Sequence, residues 1–273
     1  MNRDCAPGIL LADKPAGITS HDMIARVRRA LGVRRVGHAG TLDPFATGLL
    51  IVLVGRATRL ARFFVPLVKT YEVEVQLGAT STTGDPEGEI VHTGVVPAAL
   101  SLPLGTLRQR PPAHSAVKID GERAYVRARR GEDVATTERE VTVFESSVLW
   151  REDDRAALRF VCSSGTYVRS LVADLGDAYC LALRRLAIGP FLAQDAWPGE
   201  GVAAPVDIAA AWGRFGETLS LDERDADAAA HGRAIESRGL AGPVLLTDAA
   251  GQAVAVAAER DGALRVQVGL RGQ

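Results

Sequence analysis

One aspartate stands in a setting that suits a catalytic carboxylate. Asp43 lies in the segment GHAGTLDPFATG, residues 37–48, where glycines allow backbone conformations that other residues resist and Pro44 fixes the chain directly after the acid. A carboxylate held rigidly in a loop before a buried strand is suited to catalysis. A structural turn before proline is the alternative for Asp43, and a hydrogen-bonded structural histidine is the alternative for His38.

The elements that must position this segment follow from the spacing of apolar residues. Residues 37–48 are polar and glycine-rich, which predicts a loop. A helix is expected over Thr19–Leu31, capped by Thr19 or Ser20 and ended by Gly32. The same spacing predicts three strands: a short one over Gly8–Asp13, a continuous apolar one over Leu49–Val54, and an alternating one over Lys69–Leu77.

The rest of the chain divides into further strands, two helices and a terminal module. We expect strands over Val141–Leu149, Ala156–Cys162 and Leu186–Phe191, and helices over Thr166–Tyr179 and Val206–Trp212. Trp197–Pro205 has the composition of a linker. Gly242–Leu270 offers three short strands with turns at Asp248–Gly251 and Asp261–Gly262, which indicates a small β-rich C-terminal module.

Composition is that of a soluble globular protein. The 273 residues are 47% hydrophobic and 24% charged, and no apolar run approaches the roughly 20 residues that span a bilayer. The N-terminus does not resemble a secretory signal, so a cytoplasmic location is expected. The three cysteines, Cys5, Cys162 and Cys180, are far apart, which argues against a zinc site and a disulfide framework.

Charge is distributed unevenly although the net charge is only −1. Residues 1–130 carry 18 Lys and Arg against 11 Asp and Glu, whereas residues 131–200 and 201–273 are net negative. A polyanion would therefore meet the N-terminal part, since phosphate affinity follows local basic clusters. One basic cluster covers Arg108–Arg130 and is expected to be a protruding loop or helical insertion. A second cluster forms either an ordinary solvated face or a phosphate contact; its members are Arg26, Arg28, Arg29, Arg34 and Arg35.

Seven ordered motifs accompany GHAGTLDPFATG between about residues 8 and 191. They are Ala12-Asp-Lys-Pro-Ala-Gly-Ile-Thr-Ser20, Gly55-Arg-Ala-Thr58, Lys69-Thr-Tyr71, Thr83-Gly-Asp85 with Gly88, Arg110-Pro-Pro-Ala-His-Ser-Ala-Val-Lys118, Ser164-Gly-Thr-Tyr-Val-Arg-Ser170 and Leu183-Arg-Arg185. Together they resemble the bacterial tRNA pseudouridine-55 synthase family, commonly named the TruB family. The three lysines of the chain, Lys14, Lys69 and Lys118, all fall inside these motifs.

The resemblance implies an α+β fold with a mixed, largely antiparallel bent sheet and flanking helices. The catalytic domain would span residues 1–220, with a basic thumb insertion at about 108–131. A small β-rich module resembling the PUA RNA-binding module would span 222–273. Asp43 would be the catalytic carboxylate. The other roles are implied in the same way: Tyr71 would stack on the uracil and is a candidate base, Arg169 would hold Asp43 ionised, His38, Tyr167 and Leu183 would line the pocket, and Lys14 and Asp85 would support it.

The implied reaction isomerises uridine 55 in the T-loop of tRNA. It breaks the N1–C1′ bond, rotates the uracil and joins C5 to C1′, with no metal or redox cofactor. The carboxylate can attack C1′, attack C6 or remove the C2′ proton, and each route needs it ionised, so a nearby cation such as Arg169 would help. The target base must leave its stack for an aromatic or apolar pocket. The tRNA T-arm would be the partner of a monomer, with no protein partner and no membrane.

Two departures from the family pattern concern the placement of particular residues. The stretch before Leu183 is shortened to Asp177–Ala182, which affects how Leu183 is placed. His114 stands where the thumb motif usually has an aromatic ring, so RNA affinity would vary with pH near neutrality. Three alternatives remain: a carboxylate glycoside hydrolase, which usually needs a second catalytic carboxylate, a non-catalytic RNA-binding protein, and the same reaction on another RNA with a guide RNP.

Overall fold

The computed structural model describes residues 6–271 apart from 113, 114, 116, 120 and 135. Cys5 and His114 therefore lie outside the described residues. The helices are α1 Ser20–Leu31, α2 Ala61–Phe64, α3 Ala124–Arg129, α4 Val168–Ala173, α5 Ile208–Trp212 and α6 Glu223–Ala230. The strands are β1 Gly8–Lys14, β2 Val36–Ala39, β3 Thr47–Val54, β4 Lys69–Leu77, β5 Ala79–Ser81, β6 Ile90–His92, β7 Gly105–Gln109, β8 Lys118–Ile119, β9 Glu122–Arg123, β10 Arg139–Glu152, β11 Arg155–Cys162, β12 Ala178–Ile188, β13 Phe191–Leu192, β14 Val206–Asp207, β15 Glu217–Ser220, β16 Ile235–Glu236, β17 Val244–Thr247, β18 Ala253–Arg260 and β19 Ala263–Gly269.

A large mixed sheet organises the first two thirds of the chain. Across the described residues its strand order is β14-β1-β3-β12-β4-β11-β10-β7, with β2 paired to β3 and β13 paired to β12. The pairing of β12 with β3 is parallel and the other pairings in this sheet are antiparallel. This arrangement confirms the expected α+β class with a largely antiparallel sheet.

Residue patterns explain why the central strands form where they do. Nearly all of β3 is apolar and fully buried, as a strand covered on both faces requires. In β4 the buried residues alternate with less buried ones, so Tyr71, Val73 and Val75 face the core while Glu72 and Glu74 face away. The predicted strands over Leu49–Val54 and Lys69–Leu77 are therefore confirmed.

Gly48 allows β3 to approach β12 closely. Its φ is 102°, and a Cβ atom at this position would lie 2.3 Å from the carbonyl oxygen of Arg185. Only glycine fits both the backbone conformation and the space. The next residue back in β12, Arg184, forms a bidentate ion pair with Asp13 of β1, with distances of 3.0 and 2.7 Å. The close packing at Gly48 and the ion pair of Arg184 therefore both stabilise the parallel pairing of β3 with β12.

Helix α1 begins and ends as the sequence predicts. Thr19 is its N-cap and accepts a hydrogen bond from the Asp22 amide, while the Asp22 carboxylate accepts one from the Thr19 amide. Gly32 ends the helix in the left-handed conformation. The helix buries Met23, Ile24 and Val27 against the sheet.

Three sequence-based boundaries are wrong. Thr166–Tyr179 is not one helix, because α4 covers only Val168–Ala173 and Gly176, at φ 119°, lies in the turn that follows it. Residues 178–188 pair with β4 instead, so the strand predicted over Leu186–Phe191 is replaced by β12 and β13. The loop predicted over 37–48 is irregular only from Gly40 to Ala46, since β2 and β3 occupy its ends. In each case pairing with a neighbouring strand overrides the local pattern.

The basic insertion is a short hairpin followed by a helix. Strands β8 and β9 pair as a hairpin, and α3 follows directly, with the Ala124 amide donating to the Val117 carbonyl at 2.7 Å. Several of its basic residues pair with nearby acids: Arg130 with Glu122 and Glu132 at 2.7 Å, Arg127 with Glu132 at 2.8 Å, and Arg110 with Glu138 at 3.5 Å.

The C-terminal part forms a second sheet with strand order β15-β17-β18-β19-β16 in the described residues. It packs on the first sheet through a shared apolar cluster that includes Leu53, Phe64, Trp212, Leu245 and Val256. Arginines after β3 add polar contacts, because Arg56 and Arg59 donate to the carbonyls of Leu270 and Gly269 at 3.2 and 2.9 Å. Across the described part of the chain, every helix lacks the length or apolar character needed to cross a bilayer.

Candidate active site

The loop that carries Asp43 is fixed by the segment that leads into α1. The Ser20 hydroxyl exchanges hydrogen bonds with the Leu42 backbone, at 3.0 Å from its amide and 3.2 Å from its carbonyl oxygen. The Gly17 amide donates to the Pro44 carbonyl at 2.9 Å. Bonds on both sides of Asp43 hold its backbone in place, as a preorganised catalytic group requires.

Lys14 strengthens the same attachment. Its side chain is fully buried, and Nζ donates to the carbonyls of Pro15, Ile18 and Pro44 at 2.9, 2.8 and 3.1 Å. Burial lowers the pKa of Lys14 to about 8, while the Asp43 carboxylate opposes that change. Lys14 therefore stabilises the Asp43 loop by donating hydrogen bonds to three backbone carbonyls.

Arg169 joins Asp43 to a second carboxylate. Nε of Arg169 lies 2.9 Å from Oδ2 of Asp43, and its Nη1 lies 3.2 Å from Oδ2 of Asp85. The guanidinium is buried and also donates to the Thr83 carbonyl at 2.7 Å. Helix α4 supplies Arg169, so a short helix aims one cation at two acids.

A tight turn between β5 and β6 orients Asp85. Its Oδ1 accepts hydrogen bonds from the Thr83 hydroxyl at 2.5 Å and the Glu87 amide at 3.1 Å. Gly88 completes the turn, because a Cβ there would lie 2.5 Å from the hydroxyl oxygens of Ser81 and Thr83. These bonds leave Oδ2 of Asp85 directed at Arg169.

Opposing effects act on the ionisation of Asp43. Burial raises the pKa of its carboxyl most strongly, the adjacent Arg169 lowers it, and the nearby Asp85 raises it again. The net effect is a pKa above the usual range. Because 29% of the side chain stays exposed in a pocket, Asp43 remains accessible to a ligand.

A pocket of about 330 Å³ opens above Asp43. Strand β4 contributes Lys69 and Tyr71, β12 contributes Leu183 and Arg185, and the turn before α4 contributes Tyr167. Leu183 reaches this wall although the stretch before it is short, because residues 178–188 form one strand with a register shift between Cys180 and Ala182. Val117 of the insertion also lines the pocket.

Arg185 connects the pocket wall to both ends of the Asp43 loop. Its buried guanidinium donates to the carbonyls of Leu49, Gly40 and Thr41 at 2.7, 3.1 and 3.4 Å. Burial raises the pKa of the Tyr71 phenol, and the charge of Arg185 opposes that rise. Tyr71 is therefore a protonated phenol at neutral pH.

The structure brings together most of the residues expected at the site. The pocket is lined by Asp43, Tyr71, Tyr167 and Leu183. Near Asp43, but outside the pocket lining, lie Arg169, Asp85 and Lys14. His38 is not among the lining residues; its ring lies edge-on to that of His21, with centroids 5.6 Å apart. His114 lies outside the described residues.

Three lining cations were not assigned by the sequence: Arg185, Lys69 and Arg139. Arg185 and Lys69 fall within motifs, so position alone could have identified them. Lys69 is buried, donates to the carbonyls of Val65 and Leu67, and has a pKa lowered to about 8 by burial. In the described part of the chain no group of three or more His, Cys, Asp or Glu side chains is placed to hold a metal ion.

Comparison with known proteins gives a consistent family. Residues 28–168 match the model described as TruB family pseudouridylate synthase (N terminal domain). Curated relatives named tRNA pseudouridine synthase B include one from Thermobifida fusca, 42% identical over 94% of this chain and 96% of the relative. Others come from Leifsonia xyli, 44% identical over 86% of each chain, and Corynebacterium glutamicum strain R, 39% identical over 93% of each.

Solved structures share the fold at lower sequence identity. A crystal structure of a Cbf5–Nop10–Gar1 complex contains a chain that matches with a TM-score of 0.68 and 23% identity, over 96% of this chain and 83% of that one. A chain in the structure of an H/ACA RNP bound to a substrate RNA containing 2′-deoxyuridine matches with a TM-score of 0.65 and 20% identity, over 97% and 85%.

Proposed function

Because the chain belongs to the TruB family of pseudouridylate synthases, we propose that it isomerises uridine 55 in the T-loop of tRNA to pseudouridine, with Asp43 as the catalytic carboxylate. Relatives named tRNA pseudouridine synthase B, 39–44% identical over most of their length, support a tRNA substrate. The observation that carries the role of Asp43 is its ion pair with Arg169 at the base of an aromatic-walled pocket.

The reaction breaks the N1–C1′ bond of the uridine and forms a C5–C1′ bond. An ionised carboxylate can begin it by attack on C1′, by attack on C6 or by removal of the C2′ proton. Burial disfavours the Asp43 anion, and the guanidinium of Arg169 opposes that effect, so Arg169 favours the reactive form. A carboxylate that is ionised but poorly solvated is also a stronger nucleophile and base than one in water.

The pocket fits a single nucleotide turned out of the RNA. Its volume is near the lower end of the roughly 300–1,000 Å³ that small-molecule sites occupy. Tyr71 and Leu183 supply flat and apolar surface for a uracil, and Tyr167 stands at the turn beside them. Such a pocket recovers part of the energy lost when a base leaves its stack.

Tyr71 is a candidate base for the C5 proton as well as a stacking surface. A phenol whose pKa is raised is a weak base at neutral pH. The charge of Arg185 opposes that rise and so favours the phenolate that would accept the proton. His38 is proposed to bind the substrate at a point outside the pocket lining. Lys14 and Asp85 are proposed to hold Asp43 in position.

The T-arm of the tRNA would lie against the basic N-terminal part. We propose residues 1–220 as the catalytic domain, about 108–131 as the thumb, and 222–273 as a PUA-like module, with β15 joining the sheet of that module. Of the five arginines after Asp22, Arg28 bonds the Val36 carbonyl and Arg35 bonds the Thr58 hydroxyl, so these two also maintain the fold. The protein is proposed to act as a cytoplasmic monomer without a protein partner.

The substrate assignment is tested with a T-arm minihelix labelled with tritium at C5 of its uridines. Isomerisation releases that tritium to water. We expect release from the native minihelix and none above background when the T-loop uridine at position 55 is replaced by cytidine. Equal release from both would contradict the assignment of position 55, and no release from either would contradict the activity.

A further inference from the structure

Arg139 is a cation of the pocket wall that the proposed mechanism leaves without a role. It begins β10, where it pairs with Gln109 of the edge strand β7. Its guanidinium lies over the ring of Tyr167, with the central carbon 4.8 Å from the ring centroid, and it lines the pocket that contains Asp43. It also packs against the turn before α4, since a Cβ on Gly165 would lie 3.5 Å from its Nη1.

The hydrogen-bonding state of Arg139 differs from that of the other cations at the site. Lys69 and Arg185 donate to backbone carbonyls, and Arg169 is paired with two carboxylates. By contrast, Nε of Arg139 is buried and has no hydrogen-bond partner among the residues that the structure describes. A buried donor that is left unpaired is costly, so native proteins usually supply it with a partner or a ligand.

We propose that Arg139 binds a phosphate group of the target nucleotide; this inference rests on the proposed function. The reasons lie in shape and charge. The N–H groups of a guanidinium lie in one plane, and stacking on an aromatic ring fixes the orientation of that plane, which suits the oxygens of a phosphodiester. The uracil is neutral and is assigned to Tyr71 and Leu183, whereas each nucleotide entering the pocket brings negatively charged phosphates on both sides of its ribose.

Two acids near Arg139, one in sequence and one in the pocket, pair with other arginines. The preceding Glu138 forms an exposed ion pair with Arg110 at 3.5 Å, and Asp43 faces Arg169. A phosphate bound by Arg139 would be held next to Tyr167, and the turn from Gly165 to Tyr167 leads directly to Arg169. Binding the RNA backbone here would thereby set the depth at which the ribose meets Asp43.

The first test compares wild type with Arg139→Gln in steady-state tritium release from the labelled minihelix. The expected result is an increase of KM of about tenfold, as for loss of a charge-assisted hydrogen bond, with kcat changed less than twofold. Arg214→Gln is the matched control, because Arg214 also stacks on an aromatic ring, 4.6 Å from the Phe191 centroid, but lies outside the pocket lining. Its KM should equal that of wild type.

The second test removes the charge from the substrate. Minihelices carrying a neutral methylphosphonate at the phosphate 5′ or 3′ of the target uridine are compared for both proteins. At one of the two positions the methylphosphonate should raise KM for wild type about tenfold but leave KM of Arg139→Gln unaffected. The reason is that the protein substitution and the substrate modification would each remove the same single contact. Arg139→Lys should recover part of the affinity.

The outcomes separate this inference from the proposed function. If wild type releases no tritium, the proposed function itself fails. If wild type is active but Arg139→Gln has the KM of wild type, the phosphate contact is overturned. It is also overturned if the effects of Arg139→Gln and of the methylphosphonate on KM multiply at both phosphate positions. A fall in kcat with unchanged KM would also overturn it, since that would indicate that Arg139 only positions the Tyr167 turn.

Discussion

Nε of Arg169 lies 2.9 Å from Oδ2 of Asp43, while Nη1 of the same guanidinium lies 3.2 Å from Oδ2 of Asp85. One buried cation is thus shared by the proposed catalytic carboxylate and by an acid behind it. Arg169 lowers the pKa of Asp43 and Asp85 raises it, so the two neighbours act on the ionisation of Asp43 in opposite directions. This relationship makes the reactivity of Asp43 dependent on residues far from it in sequence.

Changing the two neighbours should move the acid limb of the pH profile in opposite directions. Arg169→Met removes the charge that favours the Asp43 anion, so the pKa of Asp43 rises and the acid limb of kcat/KM moves to higher pH. Asp85→Asn removes a repelling charge, so the limb moves to lower pH. Tritium release measured between pH 5 and 9 checks both; a shift in the same direction for both variants would contradict the account.

Tyr71→Phe should separate stacking from proton transfer. The variant keeps the ring that faces the pocket but loses the hydroxyl whose ionisation the charge of Arg185 favours. If the hydroxyl accepts the C5 proton, kcat falls by about 10²-fold or more, the usual size of a general-base contribution, while KM stays near that of wild type. Full activity of Tyr71→Phe in the same assay would leave Tyr71 as a stacking residue only.

The buried ammonium of Lys14 should make stability depend on pH above neutrality. The pKa of Lys14 is about 8 in the folded protein and near 10.5 when unfolded. Between these values the unfolded chain binds a proton that the folded protein has lost, so the Lys14 contribution to the free energy of unfolding rises with pH. Below pH 8 the lysine is charged in both states, so this pH dependence is absent and the cost of burying the charge is constant.

Urea unfolding of wild type and Lys14→Met between pH 7 and 10.5 measures this contribution. The difference in unfolding free energy, wild type minus variant, should rise by at most about 1.4 kcal/mol per pH unit from pH 8 upward. At pH 7 the variant should still be less stable, because three backbone carbonyls lose their hydrogen-bond donor. Each loss costs roughly 1–3 kcal/mol, and the cost is smaller where water reaches the carbonyl. A difference independent of pH would be inconsistent with a depressed Lys14 pKa.

Gly48→Ala should destabilise the protein by more than its backbone strain. The added Cβ would approach the Arg185 carbonyl oxygen to 2.3 Å, whereas a Cβ on Gly251, also at positive φ, would meet open space. We expect Gly251→Ala to cost about 1 kcal/mol and Gly48→Ala to cost about 3 kcal/mol or more, with reduced activity. Thermal unfolding of the two variants checks this; equal losses would show that β3 and β12 tolerate separation.

Several of the expected site residues lie together in the structure, whereas the bounds of some surrounding elements differ from those expected. Asp43, Tyr71, Tyr167 and Leu183 meet in one pocket because the motif residues lie at strand ends and turns that pairing brings together.

Features that depend on partners distant in sequence could not be predicted. Nothing local distinguishes residues 178–188 as a strand, since their place in the sheet comes from pairing with β4. Likewise Arg139 falls in no motif, and only the fold brings it over the Tyr167 ring. The sharing of Arg169 between two acids could not be predicted either, because Asp43 and Asp85 lie on separate loops.

The most direct test of the central claim is tritium release by Asp43→Asn compared with wild type on the same T-arm minihelix. Asparagine keeps the shape of the side chain but cannot ionise, so the account predicts loss of release to background, with RNA binding and the unfolding midpoint close to those of wild type. Release by Asp43→Asn at a rate near that of wild type would contradict it and leave Asp43 as a structural turn residue.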